Sequence, residues 1–101
     1  MKLLVITAIK EFENDIKLML KAAAVKSFSY KEVKGYNDNS DHALEDNWFA
    51  SETHFYESVL FYAFIPKENV DTLFTLVAEF NKKQDSNSQI HLASLNIDKS
   101  N

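Results

Sequence analysis

Ser58 to Ile65 reads SVLFYAFI, and both of its alternation phases are apolar: Val59, Phe61, Ala63 and Ile65 on one, Leu60, Tyr62 and Phe64 on the other. A half-solvated strand alternates apolar with polar residues, so a run that is apolar on both phases predicts a strand in the middle of a sheet. Lys2 to Ile9 (KLLVITAI) has the same two-sided character and is read as a second central strand.

Directly after Ile65, Pro66 is the only proline of the chain and suits a helix start. Val70, Leu73, Phe74 and Val77 form the expected core stripe of that helix, with Phe80 at its margin and the end at Lys82 or Lys83. Gln84 to Gln89 (QDSNSQ) is a loop by composition, Ile90 to Ile97 (IHLASLNI) a last strand, and Asp98 to Asn101 a fraying end. On the other side, Phe12, Ile16, Met19, Leu20 and Ala23 recur at helical spacing, which predicts an amphipathic helix over Glu13 to Ala24. Ser27 to Gly35 (SFSYKEVKG) alternates and turns polar at Glu32 and Lys34, as an edge strand that leaves the packed sheet would. Gly35 is the only glycine, placed where that strand is expected to become loop and where a glycine permits a turn other residues resist.

The order is β-α-β, a long loop, then β-α-β. Right-handed crossovers close it into a four-stranded antiparallel sheet with both helices on one face, an α+β ferredoxin-like sandwich in which the first and third strands are central. At 101 residues this is one domain over 1–101, with the loop 36–56 between strands two and three. Two helices cover only one sheet face, so the other exposes Val, Leu, Phe and Tyr and predicts self-association. At roughly 25 cal/mol per Å2, several hundred Å2 of buried apolar surface contributes on the order of 10 kcal/mol before association costs.

Composition narrows the function classes. A formal charge of −4 and no basic cluster beyond Lys82 and Lys83 argue against nucleic acid as a partner. The apolar start, Leu3 to Ile6, is too short for membrane insertion and lacks a signal-peptide cleavage region, so a cytoplasmic location is expected. Without cysteine there is no disulfide framework, thiolate nucleophile or thiolate zinc site.

Two stretches carry a family resemblance: YKEVKGYNDNSDH (Tyr30 to His42) and IPKENVDTLFTLV (Ile65 to Val77). They resemble the nitrogen regulatory protein PII superfamily, the first at the passage from strand two into its effector-reading loop, the second at the start of its second helix. The resemblance covers almost the whole chain and implies a homotrimeric signal-transduction protein, not an enzyme, with a small effector bound in clefts between subunits. It further implies a protein partner, a transporter or an enzyme, contacted through loop 36–56. Gly35 and Tyr36 at the loop base and Lys82 and Lys83 on the facing loop are the effector and partner residues implied.

The chain departs from the nucleotide-binding members at each phosphate-contacting place. Asn37 replaces the second glycine of the loop base, Lys82 to Gln89 holds no glycine, and only Lys99 follows Ile97. Close approach to phosphate needs small residues and clustered N–H donors, so the case for a nucleotide cofactor is weak. The modifiable tyrosine of some members has no counterpart, and Tyr56 lies too close to strand three to take that role.

Gly35 to Tyr56 has its own chemistry. His42, Glu45 and His54 are candidate transition-metal ligands, a set of imidazoles and a carboxylate that suits zinc, copper or nickel; their spacing matches no metal motif, and acidic loops are usually just solvated. That reading connects with the metal-tolerance protein CutA, a related trimer of the same fold. Trp48 and Phe49 carry apolar area in a polar stretch and are candidate partner contacts, or else pin the loop to a neighbouring subunit. His91, in the last strand, either lines a subunit cleft or is an ordinary interface or surface histidine. A further alternative is a small cofactor-free dimeric enzyme of ferredoxin-like fold, with Trp48, His42, His54 and Tyr56 about a pocket; no nucleophile, base and orienting group stand at a recognisable spacing.

Overall fold

The computed structural model describes residues 1–36 and 55–101. Its elements are β1 (Lys2–Ile9), a 3-10 turn (Lys10–Phe12), α1 (Glu13–Ala22), β2 (Ser29–Tyr36), β3 (Phe55–Ile65), α2 (Lys67–Lys83) and β4 (His91–Asn96). The four strands form one antiparallel sheet in the order β2-β3-β1-β4. β1 and β3, the two strands apolar on both phases, are therefore the central pair, and the fold is the α+β ferredoxin-like sandwich.

The register explains the phases. Leu4 faces Ala63 and Ile6 faces Phe61 across the central pair, and these residues, with Ala8, Val59 and Ile65, form the buried inner face. Ile16 and Leu20 of α1 and Val70, Leu73 and Val77 of α2 close over them. The other face carries Leu3, Val5 and Thr7 of β1 opposite Phe64, Tyr62 and Leu60 of β3, and Leu95, Ala93 and His91 of β4. Neither α1 nor α2 covers it, and Tyr62, Phe64 and Leu95 are about half exposed, at 46%, 54% and 46%.

Phe74 departs from the expected core stripe: it is exposed. Val70, Leu73 and Val77 already fill the line over the sheet, and Phe74 lies about 100° round the helix from Leu73. Phe80 is partly buried, its ring edge-on to Phe12 at 5.0 Å.

The first helix stops two residues short of the expected Ala24 and ends in a Schellman motif. Val25 N–H donates to Leu20 O at 2.9 Å and Ala24 N–H to Lys21 O at 3.0 Å. Ala24 takes the left-handed φ of 61° that this motif requires, a place usually held by glycine. The buried Val25 and Leu20 supply its apolar contact.

The polar half of the second strand does not leave the sheet. β2 stays paired with β3 through Gly35↔Tyr56 and Tyr36↔Phe55, so both ends of the expected loop 36–56 are strand. Cross-strand contact accounts for the extension: the Tyr36 and Phe55 rings lie 5.2 Å apart, and Lys10 bridges Glu32 at 2.6 Å and Glu57 at 3.7 Å. Among the described residues no helix is long and apolar enough to cross a membrane.

Candidate functional site

The sheet ends in a cleft of about 450 Å3 at the point where β1 runs into the 3-10 turn. Thr7, Ala8, Ile9 and Glu11 come from β1 and that turn, Tyr56 and Ser58 from the start of β3, and Asn87, Ser88, Gln89 and His91 from the last connection and β4. The register brings them together: Thr7 pairs with His91, and Ile9 with Ser58. Both pairs belong to the face opposite α1 and α2, so the cleft is the polar end of the same surface that carries Tyr62 and Phe64.

Ser58 is buried, and its hydroxyl donates to Ala8 O at 2.6 Å, fixing the floor of the cleft. Tyr56 stands at the wall. A Cβ added at Gly35 would lie 2.4 Å from Cε2 and Cζ of the Tyr56 ring, so only glycine leaves room for the ring there. Gly35 itself has no positive φ. Its expected role as a turn residue is thereby corrected: it is extended, and what demands glycine is the ring across the ladder.

The loop between α2 and β4 is held by its own side chains. Asn81 Nδ2 donates to Ile90 O at 2.9 Å while Ile90 N–H donates to Asn81 Oδ1 at 2.8 Å, so one amide side chain brackets the buried start of the last strand. Gln84 Oε1 accepts from Ser86 N–H at 2.8 Å and from the Ser86 hydroxyl, Gln84 Nε2 donates to Ser88 O, and Ser88 N–H donates to Ser86 Oγ at 3.2 Å. These bonds do the shaping that glycine conformations would otherwise do.

Glu11 is the only charged residue among the described residues lining the cleft. The nearby ammonium of Lys10 is turned to Glu32 and Glu57; its hydrogen bond and charge interaction with Glu32, and then the charge of Glu57, raise its pKa above 10.5. Lys17, on α1, lies 4.3 Å from the centroid of the Tyr30 ring and donates to the Tyr30 hydroxyl and to Glu13, each at 3.0 Å. The bond to Tyr30, followed by that to Glu13, raises its pKa as well.

The residues expected at the site are only partly brought together. Gly35 backs the cleft through Tyr56, while Tyr36 points to the opposite, inner side and packs on Phe55. Lys82 and Lys83 form the exposed last turn of α2, and neither lines the cleft; Asn87, Ser88 and Gln89 of the same connection do. Trp48, Phe49, His42, Glu45 and His54 lie outside the described residues. Among the described residues no group of three or more potential metal ligands occurs. Thr7, Glu11 and Ser58 carry no sequence signal for a site, since their convergence depends on the strand register.

No family model matches the chain, and no curated protein matches it. Solved structures do. One is CPII, a nitrogen regulatory PII-like protein from Thiomonas intermedia K12 in complex with ADP, AMP and bicarbonate: 16% identity, TM-score 0.63, covering 98% of this chain and 93% of that one. Another is a DUF3240 family protein from Shewanella baltica OS155: 18% identity, TM-score 0.67, covering 99% of this chain and 92% of that one. Alignment over almost the full length of both, at this low identity, gives the chain a divergent PII-like fold.

Proposed function

We propose that this chain is a non-enzymatic, trimeric PII-like regulator that takes a small effector in the cleft and passes its occupancy to a protein partner through residues 37–54. The observation that carries this reading is the position of Tyr56. It lines the cleft and, through Gly35, packs on the base of the strand pair that leads into 37–54. An effector that moves the ring therefore acts directly on that base.

The apolar outer face supports assembly. Tyr62, Phe64 and Leu95 expose large side chains next to the half-buried Leu3, Val5 and Leu60, and contiguous exposed apolar surface of this kind marks an interaction face. Because the cleft is continuous with that face, a second copy packed there borders it, and the effector site becomes an inter-subunit one. In this reading Trp48 and Phe49 are partner contacts, together with Gly35, Tyr36, Lys82 and Lys83. Replacing Trp48 and Phe49 by alanine then weakens partner binding and leaves the oligomer intact.

Hydrogen exchange with and without an effector is the test. Ligand in the cleft should change protection at both Tyr56 and 37–54; a change confined to the cleft would remove the signalling role. The CutA-like metal reading has its own check: titration of Zn2+ or Cu2+ with no binding tighter than about 100 μM eliminates His42, Glu45 and His54 as a functional site.

A further inference from the structure

The chemistry of the cleft walls identifies the class of effector. A phosphate site built from a loop needs backbone N–H groups that point at the ligand, together with a lysine, arginine or helix terminus to hold the charge. Here the loop has internal partners for those groups. The N–H of Ser86 goes to Gln84 Oε1, that of Ser88 to Ser86 Oγ and that of Ile90 to Asn81 Oδ1. Alternate amides along the loop are thus occupied, and no lysine or arginine is among the described residues lining the cleft. Glu11 adds a carboxylate, and Lys10, the nearest compensating cation in sequence, is held by Glu32 and Glu57. An anion entering this cleft loses its hydration, meets a like charge, finds every second loop amide already bonded and finds no lysine or arginine to offset its charge.

The same walls suit a neutral ligand. Thr7, Asn87, Ser88 and Gln89 bring hydroxyl and amide side chains that both donate and accept, and the Glu11 carboxylate accepts from a pair of hydroxyls. The Tyr56 ring, backed by Gly35 and 44% exposed, offers an apolar surface for a planar ring to stack on. Resting on the effector cleft of the proposed function, we infer that the ligand is a non-phosphorylated, hydroxyl-bearing molecule with a planar ring, of the nucleoside class, and that the cleft rejects the corresponding nucleotide.

Calorimetric titration of the full chain with the four common ribonucleosides and their 5′-monophosphates tests this. At least one nucleoside should bind, and its monophosphate should bind at least tenfold more weakly. In Glu11→Gln that gap should narrow, because the repulsive carboxylate is gone. A monophosphate that binds as well as or better than its nucleoside overturns the inference, as does the absence of any nucleoside binding below about 1 mM. Native mass spectrometry of the same samples separates this from the assembly: a trimer without bound nucleoside removes the ligand class alone, and nucleoside bound to a monomer removes the trimer alone.

Discussion

Gly35 and Tyr56 face each other across the β2–β3 ladder so closely that a Cβ on Gly35 would stand 2.4 Å from two carbons of the tyrosine ring. Gly35→Ala must therefore push the ring aside. Adding a methyl relieves backbone entropy in a strand by about 0.5–1 kcal/mol, but overpacking costs about 1–3 kcal/mol, and the balance is a modest loss. In a Tyr56→Ala background the same change should be neutral or stabilising. Urea unfolding of the two single variants and the double variant measures the coupling, expected at about 1 kcal/mol.

Ala24 occupies the left-handed position of a Schellman motif at φ 61°. An L-residue pays for its Cβ there and glycine does not, so Ala24→Gly should stabilise the protein by about 0.5–1 kcal/mol, opposite in sign to the usual alanine-to-glycine change in a helix. A lower urea midpoint for the variant would count against the motif.

Asn81 gives and takes a hydrogen bond with Ile90, whose backbone is buried at the start of the last strand. Asn81→Ala leaves both groups without their partner and should cost about 2 kcal/mol. Asn81→Asp keeps the acceptor and loses the donor, so it should fall between the two. Thermal unfolding at neutral pH distinguishes the three proteins.

Lys10 and Lys17 both have raised pKa values in the folded protein, for which Glu32 and Tyr30 are the leading causes. A cation whose pKa rises on folding contributes stability that is fully present below its unfolded pKa. That stability is lost as pH climbs through the higher folded value. The difference in unfolding midpoint between the parent and a Lys10→Met, Lys17→Met double variant should therefore be constant at neutral pH and shrink above pH 10.5. Lys10 is exposed and Lys17 partly so, and the difference should also shrink with added salt.

The outer sheet face and the helix layer each expose large apolar side chains, but only the former is expected to bury them in an oligomer. Tyr62→Glu or Phe64→Glu places a charge within that face and should dissociate the assembly at micromolar concentration. Leu18→Glu, on the helix layer and 66% exposed, should leave it unchanged. Light scattering reads all three.

Much of this architecture is legible in the chain because period-two and period-3.6 patterns report burial directly. SVLFYAFI and KLLVITAI announce central strands, and Phe28 and Tyr30 leading to Glu32 and Lys34 announce an edge. Phe74 misleads because a stripe drawn from four helical positions does not tell which one the sheet below has no room for. Gly35 misleads more instructively: a lone glycine before a polar stretch reads as a turn, and only the paired register reveals the ring that needs the space. The cleft is the least legible part. Glu11, Ser58, Asn87 and His91 are far apart in sequence and ordinary in type, and it is the antiparallel pairing of three strands that gathers them.

On the proposed reading, the sheet face opposite α1 and α2 is an interface, and a second copy completes the cleft at its end. Native mass spectrometry of the purified chain at micromolar concentration tests it most directly. A species of ~35 kDa, three times the 11.6 kDa chain, is expected. A monomer would contradict it, since Tyr62, Phe64 and Leu95 would then remain in water, and a dimer would favour a pocket enclosed between two sheets over a PII-like trimer.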